Sequence, residues 1–239
     1  MLMKSKFIWI IAGILICGML LLAGIAARTY LGGRNSKVFA FLSDPATHAD
    51  WQTQALTKCA GAPFSFPSTG YIGYLWGDSF KLFQRHQGID IFSGSAPGLT
   101  PVYAPYDGFL TRETSWKSSL IIRVPSDPLQ PDRQIWLYMT HLADQDGLSL
   151  IADRFPAGTR EVAVKAGDFL GYQGNYSGDP NNPVGVHLHF SIVLDDGSGH
   201  YLNELKIANT LDPSPYFGLL LNADTASDSP PICPSPSAH

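Results

Sequence analysis

His187-Leu188-His189-Phe190-Ser191-Ile192-Val193-Leu194 places apolar side chains at 188, 190, 192 and 194, with two imidazoles and a hydroxyl between them at 187, 189 and 191. An extended chain sends successive side chains to opposite faces. The stretch therefore predicts a strand with one face on a core and His187 and His189 side by side on the other. Residues two apart on a strand sit roughly 6–7 Å from each other at Cα, which suits one metal ligand and one neighbour beside the metal. Gly185, just ahead, relaxes the backbone where the strand begins.

Working outward, the other apolar segments are short and punctuated: Ser119–Val124, Ile135–Met139, Val162–Val164 and Phe169–Tyr172. Gly or Pro clusters separate most of them, and the chain holds 23 Gly and 18 Pro. Such spacing predicts a mainly β fold, an antiparallel sheet with long loops, and no long helix beyond the N-terminus. Hydrophobic residues at 45% and charged residues at 15% exclude a disordered chain. Formal net charge is −4; setting aside Lys4 and Lys6 leaves 14 of the 16 basic residues against 20 acidic, or −6 for the rest. That balance gives no basic face for nucleic acid.

Residues 1–27 read as one N-terminal transmembrane helix. Lys4 and Lys6 precede an uncharged run from Phe7 to Ala27, closed by Arg28. Such a run spans the roughly 30 Å hydrocarbon layer and exceeds the usual signal-peptide core of about 7–15 residues. The small side chains of Ala23–Ala27 leave a cleavage site open as the alternative. Ile16 before Cys17 is too bulky for a lipobox. The basic leader predicts a cell-membrane protein with its body outside the cytoplasm, or a secreted one if cleaved. Residues 28–62 read as a linker with a short helix around Ala49–Lys58, 63–220 as the body, and 221–239 as a Ser/Pro-rich tail. Cys59 and Cys233 flank the body, and outside the cytoplasm such a pair either bridges or stays as two unrelated thiols.

A second constellation is His86-Gln87-Gly88-Ile89-Asp90. In extended backbone His86, Gly88 and Asp90 share one face, and Gly88 leaves space between two potential ligands. Imidazole and carboxylate suit zinc, and three protein ligands with one open position make a catalytic-type site. His141 closes the run Ile135–Met139 at a strand terminus, where a side chain can lean into a cleft, but its own face carries Ile135, Leu137 and Met139, so taken alone it reads as a hydrogen-bonded core histidine. Taken singly, an HxxxD is common by chance, and His48, His200 and His239 read as linker, loop and tail. Spacing leaves open whether His187 or His189 would be the ligand.

As an ordered set the motifs are far more specific. Arg85–Ile91, Pro101–Pro105 with Asp107-Gly108, Tyr138–Leu142, Val164–Asp168, Gly171–Gly174 and His187–Phe190 resemble the lysostaphin/LytM-type zinc endopeptidases of cell-wall peptides. The resemblance spans roughly residues 63–215 and implies a LytM-like antiparallel β domain. It implies one zinc ion (Zn2+) per chain on His86, Asp90 and His189, with His141 and His187 as the catalytic pair acting on a zinc-activated water. Which histidine is the general base stays open. The implied substrate is a peptide bond of a peptidoglycan stem or cross-bridge. Two other readings are a zinc-free module that binds wall or regulates wall amidases, which the complete ligand set disfavours, and a peptidase of secreted proteins. Departures from the family pattern include Ser191 after HLHF and two lengthened stretches, 125–134 and 143–161. Loops of that kind line the groove in the family and are expected to narrow or redirect it here.

Overall fold

The computed structural model describes residues 14–21, 24, 33–79 and 84–234. Most of the apolar run expected to form the transmembrane helix lies outside these residues. Residues 14–21 are helical, and no described helix is long and apolar enough to cross a membrane.

The body is a mainly antiparallel β structure. Its strands are β1 (Gln52–Thr53), β2 (Gly70–Tyr74), β3 (Ile89–Phe92), β4 (Pro101–Tyr103), β5 (Gly108–Thr111), β6 (Leu120–Val124), β7 (Ile135–Thr140), β8 (Val162–Val164), β9 (Phe169–Tyr172), β10 (His187–Leu194) and β11 (Thr210–Leu211). The large sheet runs β1-β2-β3-β10-β7-β6-β5-β8, with β11 pairing β10 beyond the end of β3. Strands β4 and β9 form a separate pair. Strand β10 spans the stretch read from the sequence and holds the sheet's centre, with β3 on one side and β7 on the other.

Alternation along β10 holds at three of the four apolar positions, and Leu194 at the strand's end is only half-buried. Leu188, Phe190 and Ile192 are fully buried in the main core with Ile89, Ile91, Leu137 and Met139. At the far end of the opposite face, Val193 packs with Ile121 and Trp136 in a smaller cluster. That leaves His187 and His189 on the β3 side of this face, where two strands can deliver side chains to them.

The part of 28–62 that is described is folded onto the body, a correction to the expected linker. Helix α1 (Gly33–Ser43) buries Val38 and Phe41 against Tyr71 and Phe92. The short helix expected around Ala49–Lys58 is only a 3-10 turn at Ala49–Trp51, after which β1 pairs with β2. Thr53 and Gln52 continue in extended backbone because their partners on β2 offer a hydrogen-bonding edge there.

The lengthened stretches are tied into the structure away from the groove. Asp127, fully buried, accepts from Arg133 Nη2 at 2.6 Å and from the Tyr216 hydroxyl at 2.8 Å, which closes the 125–134 turn onto helix α2 (Ser214–Phe217). The 143–161 stretch buries Ile151 and Phe155, and the Arg112 guanidinium donates to the Phe155 carbonyl at 2.9 Å.

Cys59 and Cys233 form a disulfide across 174 positions, with Cα atoms 5.2 Å apart. The bridge straps the C-terminal segment to the body, and Cys233 packs against the main core. Cross-linking residues so far apart restricts the unfolded chain strongly. Cys59→Ser is expected to cost about 2–5 kcal/mol of stability. Chemical denaturation with and without reductant checks this: the wild type should fall to the variant's midpoint on reduction, and the variant should not move.

Candidate metal centre

Register builds the site. Asp90 on β3 lies directly opposite His189 on β10, and His187 lies opposite Phe92. Directly paired residues on neighbouring antiparallel strands put their side chains on the same face, about 5 Å apart. His86 precedes β3 and is not in the strand, unlike the extended segment expected from sequence. It still reaches Asp90 because its own backbone is held: its N–H donates to the Asp78 carbonyl and its carbonyl accepts from Gly77 N–H, both at 2.8 Å.

Gly88 matters here for a reason that spacing did not reveal. A Cβ at Gly88 would lie 2.1 Å from the Phe190 carbonyl oxygen and 2.9 Å from Ser191 Cβ. The glycine lets the chain between His86 and Asp90 lie against β10, so its role is close backbone approach. Gly88→Ala is expected to destabilise the fold by about 1–3 kcal/mol or more, as overpacking does, and to weaken metal binding with it. Thermal melts in the presence and absence of zinc check both parts.

The donor atoms converge. His86 Nε2 lies 3.1 Å from Asp90 Oδ1 and 3.0 Å from His189 Nδ1, and His189 Nδ1 lies 2.8 Å from the same carboxylate oxygen. Three ligand atoms at bonding distance from one tetrahedral zinc ion would stand roughly 3.3 Å apart, so the donors are nearly in place. Their protons argue the same way. His86 Nδ1 lies 3.0 Å from the Leu75 carbonyl, which can only accept, so Nδ1 carries the hydrogen and the neutral ring turns a lone pair at Nε2 toward the cluster. The carboxylate is also an acceptor. A single proton on His189 Nδ1 cannot serve two acceptors well, whereas one cation serves all three donors.

Electrostatics favour a cation at this point. Burial alone would raise the Asp90 carboxyl, but the surrounding His86, His187 and His189 outweigh it and hold it well below the usual carboxylate range. Burial likewise opposes charge on His86, yet Asp90 beside it raises that imidazole overall. Burial dominates at His189 and lowers it. A buried anion flanked by imidazoles is a fitting cradle for a divalent ion. The residues fit zinc.

His141 joins the site by breaking the alternation that placed it in the core. Its backbone has φ 70°, in the left-handed region that non-glycine residues rarely enter, and Leu142 takes the next core position, fully buried. The imidazole thereby leaves the face of Leu137 and Met139 and lines the same cavity as the cluster, with its ring 4.4 Å from His187. Such a backbone conformation costs on the order of 1–3 kcal/mol, and strain of this kind gathers at functional sites. The Tyr176 carbonyl accepts from His141 Nδ1 at 2.7 Å, and the Gly185 carbonyl accepts from His187 Nδ1 at 2.6 Å. The neutral form of each ring is thus fixed in one tautomer, with its hydrogen on Nδ1 and its lone pair on Nε2. Burial, reinforced by neighbouring His187, pushes His141 down to about 3, so it is neutral at physiological pH. Phe92 stacks on the His187 ring with centroids 4.8 Å apart and fixes its plane.

The five residues singled out from sequence therefore line one cavity of about 560 Å³. Sequence reasoning missed the backbone carbonyls of Leu75, Tyr176 and Gly185, which have no residue-type signature. It also missed the cavity walls. None of 125–134 or 143–161 lines the cavity, contrary to the expectation for those loops; helix α1 and the 204–205 turn do.

No protein-family model and no curated protein matches the chain. Among solved structures it is similar to the catalytic domain of the antimicrobial peptidase lysostaphin from Staphylococcus simulans, at 20% identity and TM-score 0.41, covering 62% of this chain and 92% of that one. The chain resembles the lysostaphin/LytM-type peptidases. It is similar also to LytU, at 22% identity and TM-score 0.38 over 69% of this chain and 88% of that one. Helicobacter pylori Csd3 is similar at 18% identity and TM-score 0.39, over 66% of this chain but only 35% of that one. The donor geometry, and not these likenesses, carries the reading that follows.

Proposed function

We propose that the chain is a zinc-dependent endopeptidase that hydrolyses peptide bonds of peptidoglycan stems or cross-bridges on the outer side of a membrane. The observation that carries the reading is the convergence of His86 Nε2, Asp90 Oδ1 and His189 Nδ1 within 3.1 Å of one another, beside two histidines of fixed tautomer. Such a donor set beside an open cavity and flanking bases is equipped for hydrolysis.

His86, Asp90 and His189 would hold the zinc. When bound, the ion supplies Lewis acidity, polarising the scissile carbonyl and lowering the pKa of water to about 7. The protein's own groups do the rest. His141 and His187 each present Nε2 as a lone pair. One takes a proton from the attacking water and, as imidazolium, hands that proton to the departing amine as the carbon–nitrogen bond breaks; the other, protonated from solvent, stabilises charge on the carbonyl oxygen. The His141 ring lies 4.4 Å from that of His187 and 6.4 Å from that of His189, so the pair stands beside the donors to carry the role of base. The carbonyls of Tyr176 and Gly185 keep the imidazoles aimed and prevent ring flips that would turn a donor toward the water.

The setting has its own support. The apolar run Phe7–Ala27 behind a basic leader fits a single-pass anchor, and the Cys59–Cys233 bridge fits an oxidising compartment. Digestion of purified peptidoglycans of differing cross-link chemistry, with mass spectrometry of the fragments, tests the activity. Split peptides are expected, with one new amino and one new carboxyl terminus per cut. Release of sugar fragments, or no release by zinc-loaded protein, removes the peptidase reading.

A further inference from the structure

The walls of the cavity differ in character from the metal cluster at its base. Phe39 and Leu42 of α1 form one side, and Leu205 stands on another. Phe39 is 65% and Leu205 69% exposed, so two large apolar side chains face solvent within the cavity that holds the site. Next to Leu205 is Glu204, the single carboxylate on the wall apart from Asp90, and among the described residues no Lys or Arg lines the cavity. Lys206 follows in sequence but is not part of the lining.

These walls are held against the metal motif. Gln87, the residue after His86, is buried and donates from Nε2 to the Leu205 carbonyl at 2.9 Å. Asn203 Oδ1 accepts from Leu205 N–H at 2.9 Å and shapes the turn. On the other side, Arg34 pairs with Asp78 at 3.1 Å and the Tyr74 hydroxyl donates to Asn35 at 2.8 Å, which fastens the start of α1 beside the His86 segment. The apolar surface and the lone acid are therefore at fixed places relative to the catalytic groups.

We infer that this cavity binds a peptide whose residue beside the cut bond carries an alkyl-ammonium side chain. Its methylene stem lies along Phe39 and Leu205 and its ammonium meets Glu204. The inference rests on the peptidase reading and narrows its substrate class. A polyglycine bridge has no side chain to cover the apolar walls and no charge for Glu204. A long amino side chain satisfies both at once, because such chains bury their stems on apolar surface while keeping the charged head at a polar partner. Among the described residues no Lys or Arg stands on the wall to offset the repulsion of Glu204 for an acidic side chain.

Binding to the full-length, metal-free protein in detergent tests this without turnover. Fluorescence anisotropy would compare three labelled probes: a stem tetrapeptide containing lysine, the same peptide with the lysine Nε-acetylated, and pentaglycine. The lysine peptide is expected to bind about tenfold more tightly than either alternative, the scale of one hydrogen bond to a charged group. Glu204→Gln should erase the gap between lysine and acetyl-lysine, while Phe39→Ser weakens both equally. No gap in the wild type, an unchanged gap in Glu204→Gln, or no binding of the lysine probe overturns the inference. Wall digestion separates the two claims. Lysine selectivity without any cleavage sinks the peptidase reading alone, and cleavage without selectivity sinks the subsite alone.

Discussion

His86→Ala and His189→Ala should each release the zinc, taking metal content from about one ion per chain to background and activity with it. The reason lies in the shared oxygen. Asp90 Oδ1 sits 3.1 Å from one imidazole nitrogen and 2.8 Å from the other, so removing either ring leaves two donors and a buried carboxylate with half its compensation. A catalytic zinc site has three protein ligands, and two seldom hold the ion against water. Metal analysis of dialysed protein reads the loss directly. The fold should survive, because the cluster lies on the face of β10 away from the main core. Retention of full metal and activity by both variants would mean that the ion, if any, sits elsewhere. Replacing Leu75 tests a subtler point, since only its backbone carbonyl holds His86; a Leu75→Ala variant should lose stability from its fully buried side chain yet keep the tautomer.

His141→Ala should behave differently: cleavage falls by about 10²–10⁴, the usual contribution of a positioned acid or base, while zinc stays bound. The His141 ring is 6.4 Å from the His189 ring but 4.4 Å from that of His187, so it flanks the donor cluster without belonging to it. The substitution removes a neutral lone pair that would take part in proton transfer, and no atom of the proposed ligand set. Its backbone, at φ 70°, would then hold an alanine in the left-handed region, so a modest change in melting temperature should accompany the loss. The decisive measurement is activity and zinc content on the same sample. Loss of both together makes His141 a ligand; retention of both removes it from the machinery.

Much of this site was legible in the chain because strand alternation is a local rule. The pattern of 187–194 fixes which side chains share a face, and the tertiary structure keeps Leu188, Phe190 and Ile192 in the core and the two imidazoles opposite them. The close spacing of His86 and Asp90 was equally visible, though the extended backbone assumed for it was not what brings the two together. His141 is the opposite case. Alternation along β7 assigns it to the core, and only a backbone residue in a rarely visited conformation turns it into the cavity.

By itself, then, the sequence determined a mainly antiparallel β fold with a strand presenting two histidines and an HxxxD segment suited to zinc. Those are consequences of side-chain type and a period of two, which act within a few residues. The tertiary structure decided what depends on distant partners. Register of β3 against β10 brought Asp90 opposite His189, carbonyls of Leu75, Tyr176 and Gly185 set the tautomers, and the disulfide drew the tail back across 174 positions. It also made a cavity wall of α1, from a segment that reads as linker, because Val38 and Phe41 find Tyr71 and Phe92 to cover. Burial of that kind is a property of two surfaces meeting, and neither surface carries it alone.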